Sequence, residues 1–333
     1  MTLAPDALTA FEDRLEEWIL RCQSDAPIAA MVRAHFGYGE AGRRRGKRLR
    51  PHILLMVAQT EGARNGDADG PAIAIELLHN YSLIHDDIED RDEIRHGRPT
   101  LWVRFGVPSA IVAGNAMCAM SYLALFSGAA DIPAGRRVAM ERCLQRANFH
   151  MCEGQGLDIG FETAQFVTFA DYLHMIAGKT AALFSAACEL GARSAGVGDE
   201  RALAYGAFGR AYGRAFQIRD DILGTWGTTA ETGKPSGADI RRRKWSFPVV
   251  WALDGKPSAD RGIVEKAYQR IGELSEADAV AVIAALDRLG AQAAADEACD
   301  RAIAQADDLA LRYDLDRDRL LRDLFVATSR RRV

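Results

Sequence analysis

The chain is predicted to be an all-α protein from its hydrophobic periodicity, its lack of strand-like segments and the spacing of its turn residues. Near the N-terminus, apolar residues recur at intervals of three or four, the spacing of one helix face, at Ala7, Phe11, Leu15, Trp18 and Ile19. Segments of strand length that alternate Val, Ile or Thr with polar residues are nearly absent. These observations indicate a protein built from amphipathic helices.

Glycine and proline divide the chain into roughly ten helical segments of ordinary length. The breaks lie at Gly37-Tyr38-Gly39, Asn65-Gly66, Gly97-Arg98-Pro99, Ile132-Pro133, Gly196-Val197-Gly198, residues 224–237 and residues 255–257. No break is long or polar enough to serve as a linker between domains. We therefore predict a single domain that comprises residues 1–333.

The overall composition is that of a globular protein. Of the 333 residues, 48% are hydrophobic and 26% are charged, and the formal net charge of -4 argues against a protein that coats nucleic acid. The six cysteines contain no CxxC pair, so neither a zinc site nor a disulfide framework is indicated. The acidic, amphipathic N-terminus lacks the features of a signal peptide, and a cytoplasmic location is expected.

One stretch, residues 109–130, is apolar enough to raise the question of a membrane span. Gly114, Asn115 and Ser121 interrupt it, and alanine supplies much of its apolar character. We interpret it as a buried helix that lines a subunit interface, and no membrane span is predicted.

The first segment that indicates chemistry is an acidic cluster at the end of an apolar helical stretch. It contains Asp86, Asp87, Glu89, Asp90 and Asp92. On a helix, Asp86 and Asp90 lie one turn apart on the same face, with Asp87 beside them. Magnesium prefers such oxygen ligands and typically bridges one or two carboxylates to substrate phosphates. The alternative interpretation is a solvated acidic helix end, which the preceding apolar stretch makes less attractive.

A second pair, Asp220-Asp221, follows another helical segment. If the two helices face each other across a cavity, their carboxylates could hold several metal ions on one diphosphate. Neither pair alone would support this hypothesis. The two pairs together with nearby cationic residues do support it.

Several cationic clusters accompany the two acidic pairs. Lys47 and Arg50 lie on one side of a predicted helical turn, a spacing suited to a diphosphate. The other clusters are Arg95 and Arg98, Lys179 in Gly178-Lys179-Thr180, Lys234 after Gly233, and residues 241–244. A nucleotide-binding P-loop is excluded at Gly178, because the glycine required five residues earlier is Leu173. Each cluster taken singly is also compatible with a solvated face or, for residues 43–50, a nucleic-acid patch.

In combination, these motifs resemble the (E)-polyprenyl diphosphate synthases, which make farnesyl, geranylgeranyl and longer isoprenoid diphosphates. The resemblance runs from Gly46 to Lys244 and is weakest in the last third of the chain. The motifs that carry it are Gly46-Lys47-Arg48-Leu49-Arg50-Pro51, Asp86-Asp87-Ile88-Glu89-Asp90, Gly154-Gln155-Gly156-Leu157-Asp158, Gly178-Lys179-Thr180, Phe216-Gln217 and Asp220-Asp221. The fold implied is a single-domain bundle of about ten or more helices around a central cavity, of the isoprenoid synthase type.

The resemblance also implies roles for individual residues. About three magnesium ions would be bound by Asp86, Asp90 and Asp220, with Asp87 and Asp221 beside them, as metal-assisted chemistry on a diphosphate requires. An allylic diphosphate would be gripped by Arg95, Lys179 and Lys234. Isopentenyl diphosphate would be bound by Lys47, Arg50, His79 and His96. Oxygens of Thr180 and Gln217 would face the developing carbocation, and the enzyme would be a homodimer.

The implied product is short. In this family an aromatic residue five positions before the first acidic motif commonly closes the cavity, and Tyr81 occupies that position, with Ser82 beside it one turn before Asp86. The motif has no two-residue insertion, which favours geranylgeranyl diphosphate over farnesyl diphosphate as the product. Plain core packing of Tyr81 is the alternative.

Three positions depart from the usual family pattern. Gly224 replaces a third aspartate of the second motif, His96 stands where a second arginine usually binds isopentenyl diphosphate, and Asn115 stands where aspartate is common. We expect activity to survive the first departure, because Asp220 is the position that contacts metal. The C-terminal arginines 330–332 are interpreted as a frayed tail.

Two other functions remain open at this point. A terpene cyclase on the same fold would ionise a diphosphate without adding an isopentenyl unit, but it would have no second diphosphate for Lys47, Arg50 and His79 to hold. A non-catalytic partner subunit of another synthase would have lost its metal carboxylates. This chain retains both pairs.

Overall fold

The computed structural model describes residues 5–21, 27–39, 46–127, 132–229, 236–270, 272–315 and 319–329. These residues are almost entirely helical, so the predicted all-α class is confirmed. Lys234 and Arg330 to Arg332 lie outside the described residues.

The first part of the chain contains helices α1 to α7 and one small hairpin. Their bounds are α1 Pro5–Arg21, α2 Pro27–Phe36, α3 Leu49–Thr60, α4 Asp69–Glu89, β1 Ile94–Arg95, β2 Arg98–Pro99, α5 Leu101–Phe105, α6 Val107–Ala124 and α7 Ala134–Phe161. The hairpin lies at the predicted break around Gly97. It was not foreseen, because two-residue strands are too short to show a period of two.

The remaining helices begin with α8 Phe169–Ile176, which continues through a π-helical turn, Ala177–Ala181, into α9 Ala182–Ser194. They are followed by α10 Asp199–Trp226, α11 Ala238–Arg241, α12 Phe247–Asp254, α13 Ala259–Tyr268, α14 Glu276–Leu289, α15 Ala291–Tyr313 and α16 Leu320–Ser329. Thr168 fixes the start of α8, since its hydroxyl accepts from the backbone N–H of Asp171 while the Asp171 carboxylate accepts from Thr168 in return.

The chain divides into two compact units. Unit 1 comprises Met1–Asn148, Ala186–Gly206 and Asp316–Leu321, and unit 2 comprises Phe149–Ser185, Ala207–Leu315 and Arg322–Val333. That residues 1–333 form a single domain remains a prediction.

Unit 1 is organised around α4, which is buried along most of its length. It packs mainly against α6 and α3. Among the described residues, α6 is the one helix long and apolar enough to cross a membrane by length and composition, and 33% of it is buried. Its packing against α4 is that of a helix within a folded unit.

Unit 2 has a core rich in aromatic residues. The ring of Phe247 meets Tyr172 edge to face, and Trp245 meets Tyr268 in the same way. These residues are buried together with Val250, Leu286 and their neighbours. Because Tyr172 and Phe247 also contact the second acidic motif, this core positions that motif directly.

Candidate active site

The first acidic motif closes helix α4 in unit 1. Asp86 and Asp87 lie in its last turn, and Asp90 follows as the C-cap, where its backbone N–H donates to the Asp86 carbonyl at 2.8 Å. The side chain of Asp87 is 3% exposed and that of Asp86 is 21% exposed, whereas Asp90 is exposed. The predicted face of Asp86 and Asp90 therefore opens outward while Asp87 turns into the unit.

Arg95 is the cation that the fold brings to this motif. Its Nε donates to Asp87 Oδ1 at 2.5 Å, and its Nη2 lies 3.4 Å from Asp86 Oδ2. The hairpin makes this possible, because His96 and Gly97 both have positive φ (53° and 77°), as a two-residue type I′ turn requires, and the chain reverses immediately after Arg95. Burial raises the pKa of Asp87 to about 6, although Arg95 opposes the rise.

The residues predicted to bind isopentenyl diphosphate surround a buried arginine, Arg48. Arg48 donates to Glu12 Oε1 at 2.5 Å and to Glu76 Oε1 at 2.6 Å, and all three side chains are buried. Arg48 adopts a left-handed backbone (φ 45°) as the N-cap of α3, with Lys47 exposed before it and Arg50 half-buried after it. The sequence analysis assigned Arg48 no structural role, although Glu12 and Glu76 on apolar helix faces could have suggested a buried partner.

His79 and His96 lie among cations. Burial, followed by the charge of Arg50, lowers the pKa of His79 well below its usual value. Partial burial and then Arg95 lower the pKa of His96 as well. Since both values lie below 6.5, both imidazoles are neutral at pH 7. A neutral His96 lacks the positive charge that an arginine would supply at this position.

A small cavity of about 50 Å³ lies within unit 1 beside these residues. Its lining includes three arginines, Arg48, Arg95 and Arg98, together with His96 and Asp87. A cavity with this lining favours an anionic ligand with oxygens that accept several hydrogen bonds.

The two residues predicted to limit chain length lie on α4. Tyr81 is 7% exposed, and its hydroxyl donates to the side-chain oxygen of Asn148. The Ser82 hydroxyl donates to the His79 carbonyl at 2.7 Å, within its own helix. The Tyr81 side chain therefore forms a hydrogen bond to a neighbouring helix, α7.

In unit 2, the two aspartates of the second acidic pair differ strongly in solvent exposure. Asp220 is exposed, whereas Asp221 is 2% exposed. Asp221 accepts from the Tyr172 hydroxyl at 2.7 Å, from the Phe247 backbone N–H at 2.8 Å and from Gln217 Nε2 at 2.9 Å. Burial raises the pKa of Asp221 to about 6, with Lys244 and these hydrogen bonds opposing the rise. Asp221 therefore anchors the motif from inside.

The π-helical turn presents the residues of the Gly178-Lys179-Thr180 motif. The Lys179 ammonium lies 2.5 Å from Asp158 Oδ2, and the Thr180 hydroxyl donates to Gln217 Oε1 at 2.5 Å. The turn approaches helix α7 so closely that a Cβ on Gly154 would lie 2.1 Å from the Lys179 backbone nitrogen. Glycine is required there, and π-helical turns of this kind frequently occur at functional sites.

Lys244 is a charged residue of this region to which the sequence analysis assigned no role. Burial would lower its pKa, but Asp239 and then Asp158, Asp221 and Asp220 raise it well above its usual value, so Lys244 is a cation among carboxylates. The sequence feature that could have indicated a role for Lys244 is its position at the end of the basic cluster 241–244, after the second acidic motif. Asp158 belonged to a motif in the sequence analysis, but its pairing with Lys179 was not foreseen.

Gly224, the first departure from the family pattern, lies against Asp239. A Cβ on Gly224 would lie 2.0 Å from Asp239 Oδ2, so the Asp239 carboxylate occupies the space where a side chain at 224 would begin. Asn115 is exposed on α6, and nothing in the structure explains why asparagine stands there.

The donor set of both motifs suits magnesium. Among the described residues, no group of three or more His, Cys, Asp or Glu side chains is arranged to hold a metal ion by itself. What the motifs offer is oxygen donors in small numbers, including the partly exposed Asp86 and the exposed Asp220. Magnesium, which keeps several waters and binds one or two carboxylates with substrate phosphates, fits such donors.

Each unit thus assembles part of the predicted site. Unit 1 brings together Asp86, Asp87, Arg95 and His96 near the arginine-lined cavity. Unit 2 brings together Lys179, Thr180, Gln217 and Asp221. Asp220 immediately precedes Asp221 in the chain. The predicted convergence of Asp86 and Asp220 on one ligand remains a prediction.

Comparison with solved structures defines the class of protein. A polyprenyl synthase from Caulobacter crescentus, solved in complex with calcium and isoprenyl diphosphate, superposes with a TM-score of 0.82 over 98% of this chain and 97% of its own, at 27% identity. The protein therefore has the all-α fold of the isoprenyl synthases.

Sequence comparison identifies the family. The polyprenyl synthetase model matches residues 39–286. A geranylgeranyl diphosphate synthase from Mycobacterium tuberculosis is 38% identical over 87% of this chain and 84% of its own length. A (2E,6E)-farnesyl diphosphate synthase from Mycobacterium bovis is 36% identical over 80% of this chain and 75% of its own length. The chain belongs to the polyprenyl synthetase family, and it is a short-chain prenyltransferase that uses isoprenyl diphosphate substrates.

Proposed function

We propose that the protein condenses an allylic diphosphate with isopentenyl diphosphate and that its main product is geranylgeranyl diphosphate. The observation that carries this proposal is the arginine-lined cavity of unit 1, which lies beside the first acidic motif and includes Arg95 and His96 in its lining. A synthase that joins two diphosphates needs cationic groups for the second diphosphate as well as metal-binding carboxylates for the first. Unit 1 carries both.

Magnesium, when bound to Asp86, Asp90 and Asp220, supplies positive charge that stabilises the departing diphosphate; we propose about three ions, by resemblance to the family. Arg95, Lys179 and Lys234 hold the allylic diphosphate. Lys47, Arg50, His79 and His96 hold isopentenyl diphosphate, with the two histidines acting as neutral hydrogen-bonding groups.

The reaction begins when the allylic carbon–oxygen bond breaks and the electron pair leaves with the diphosphate. The double bond of isopentenyl diphosphate then forms the new carbon–carbon bond at the allylic carbon. A proton leaves the resulting tertiary cation to the released diphosphate, and an allylic diphosphate five carbons longer remains. The oxygens of Thr180 and Gln217, which are 2.5 Å apart, stabilise the positive charge as partial negative charges fixed in advance.

Chain growth ends when the product reaches Tyr81. The residue is buried in unit 1, one turn before His85 and five residues before Asp86, a position from which its ring would close a channel for the growing chain. A farnesyl diphosphate synthase is the second candidate, and it differs only in the number of condensations.

The decisive experiment is to incubate the purified protein with isopentenyl diphosphate and each allylic starter in magnesium, and then to determine the product lengths by mass spectrometry. We expect a 20-carbon diphosphate as the main product and no product in excess chelator. A 15-carbon product would favour the farnesyl assignment. Consumption of the allylic substrate without isopentenyl incorporation would favour a terpene cyclase, and no reaction at all would favour a non-catalytic partner subunit.

We also propose that the protein is a cytoplasmic homodimer whose subunits meet at helix α6. Ile111, Val112 and Leu123 are exposed on this apolar helix, and such side chains favour a partner surface. Light scattering of the purified protein and of a Val112→Lys variant tests this: we expect a dimer for the first and a monomer for the second.

A further inference from the structure

Three helices of unit 1 meet at one side chain, Asn148 of helix α7. The Tyr81 hydroxyl, from α4, donates to Asn148 Oδ1. Asn148 Nδ2 donates to the Tyr122 hydroxyl, from α6, at 3.0 Å, and it also lies 3.6 Å from Cys118 Sγ on the same helix. Asn148 therefore accepts from one tyrosine and donates to another, and it links the three helices at the level of Tyr81.

The ring of Tyr81 also has a neighbour on its own helix. His85, one turn along α4, meets Tyr81 edge to face with the ring centroids 5.6 Å apart. Gly114 on α6 makes room for His85, since a Cβ at that position would lie 2.3 Å from His85 Nε2. Tyr81 is thus fixed at its hydroxyl by Asn148 and along its ring by His85.

We propose that Asn148 is a specificity-determining positioning residue, which sets product length by holding Tyr81 in place as the floor of the chain cavity. This inference rests on the proposed function. An asparagine side chain has both a carbonyl acceptor and an amide donor, and this bridge uses both. Leucine has a similar volume and offers neither, so in an Asn148→Leu variant the buried Tyr81 hydroxyl loses its acceptor. The loss of a hydrogen bond destabilises a buried hydroxyl, and the ring relieves this by swinging out of position.

The test compares the product lengths of the wild-type protein and three variants, Asn148→Leu, Tyr81→Phe and Tyr122→Phe, with farnesyl diphosphate as the starter. We expect Asn148→Leu to raise the ratio of longer products to the 20-carbon product about tenfold, while the rate of the first condensation stays within about twofold. Tyr81→Phe retains the ring but loses the hydroxyl, and it should shift the ratio in the same direction. Tyr122→Phe removes the second contact of Asn148 and should produce a smaller shift.

The double variant Tyr81→Phe/Asn148→Leu separates this inference from a simple volume effect. If the hydrogen bond is what matters, the double variant should make products no longer than those of Asn148→Leu alone, because the bond is already broken. Gln145→Ala is the matched control, since Gln145 lies one turn earlier on α7 and its exposed amide donates to Glu141. Its products should match those of the wild-type protein.

The outcomes are distinguishable. If the wild-type protein adds no isopentenyl unit, the proposed function fails before the inference is tested. If the wild-type protein elongates its starter but both Tyr81→Phe and Asn148→Leu give its product ratio, the inference is overturned and the bulk of the ring alone sets the length. Should Asn148→Leu fail to fold, as judged by circular dichroism, the two tyrosine variants decide the matter in the same way.

Discussion

The two acidic pairs differ in what holds their buried member. In unit 1, Asp87 is held by a charged side chain, Arg95, which also reaches Asp86. In unit 2, Asp221 is held by a tyrosine hydroxyl, an amide and a backbone N–H, all from residues fixed in the core or next to it. The first arrangement can be rearranged by a ligand that competes for Arg95, whereas the second is part of the fold.

The comparison also indicates that the two aspartates within one Asp-Asp pair have different functions. In each pair one aspartate is buried and bound to the protein, whereas the other, Asp86 or Asp220, is more exposed to solvent. The partner of the buried aspartate then determines whether the pair responds to substrate. The predictions below test this comparison, beginning with the largest effect.

Replacing either accessible aspartate should abolish catalysis. For Asp86→Ala and Asp220→Ala we expect the rate of isopentenyl incorporation to fall by about a thousandfold or more, because each removes a carboxylate that holds metal on the leaving diphosphate. A radiolabel incorporation assay measures this, with Glu93→Ala, an exposed acid beyond the motif, as the control. A near-normal rate for Asp220→Ala would contradict its role.

The buried aspartate of unit 2 should matter most for stability. Asp221→Ala leaves the Tyr172 hydroxyl and the Phe247 N–H buried without an acceptor, and it should lower the free energy of unfolding by about 3 kcal/mol. Urea denaturation measures the change. Asp220→Ala, one residue earlier and exposed, should change it by less than about 0.5 kcal/mol, and equal losses for the two variants would remove the distinction between them.

Unit 1 should lose stability in mild acid through His35. Burial lowers the pKa of His35 to about 4. A hydrogen bond to Asn80 at 3.0 Å opposes this shift, whereas the charges of Arg95, Arg48 and Arg98 reinforce it. Since the unfolded value is 6.5, the unfolded chain binds more protons between these values, so stability is complete above pH 6.5 and falls as the pH falls toward 4. The loss contributed by His35 is up to about 3 kcal/mol.

Unfolding curves at several pH values test this prediction. His35→Gln should show a shallower loss of unfolding free energy between pH 6.5 and pH 4 than the wild-type protein does. His174→Gln, at an exposed site in unit 2, should retain the wild-type slope. Identical slopes for all three proteins would show that His35 does not change its protonation on unfolding.

The smallest effect concerns the departure at His96. Because this imidazole is neutral at pH 7, His96→Arg restores a positive charge at the arginine-lined cavity, and we expect the KM for isopentenyl diphosphate to fall about tenfold with kcat unchanged. The KM for the allylic diphosphate serves as the internal control. If the KM values for isopentenyl diphosphate and for the allylic diphosphate fell equally, the assignment of His96 to isopentenyl diphosphate would be wrong.

The all-α fold and the family were predictable from the sequence, because long helices impose a strong period and the motifs are specific in combination. The hairpin that carries Arg95 was not, since two-residue strands leave no periodic trace. Nor were the partners of Arg48 and Asn148, because contacts between helices far apart in the chain depend on packing that periodicity does not encode. The assignment of the catalytic residues still rests on resemblance, and the variants above test it.

The π-helical turn at Ala177–Ala181 has a consequence for how this chain tolerates change. A turn with one residue more than an α-helix shifts the angular phase of everything that follows it. Deleting a single residue there would leave an ordinary helix with all its other side chains, yet it would rotate the downstream part by about 100° and move it about 1.5 Å along its axis. Lys179 and Asp158 could then no longer face each other, so this segment should accept substitutions far more readily than deletions.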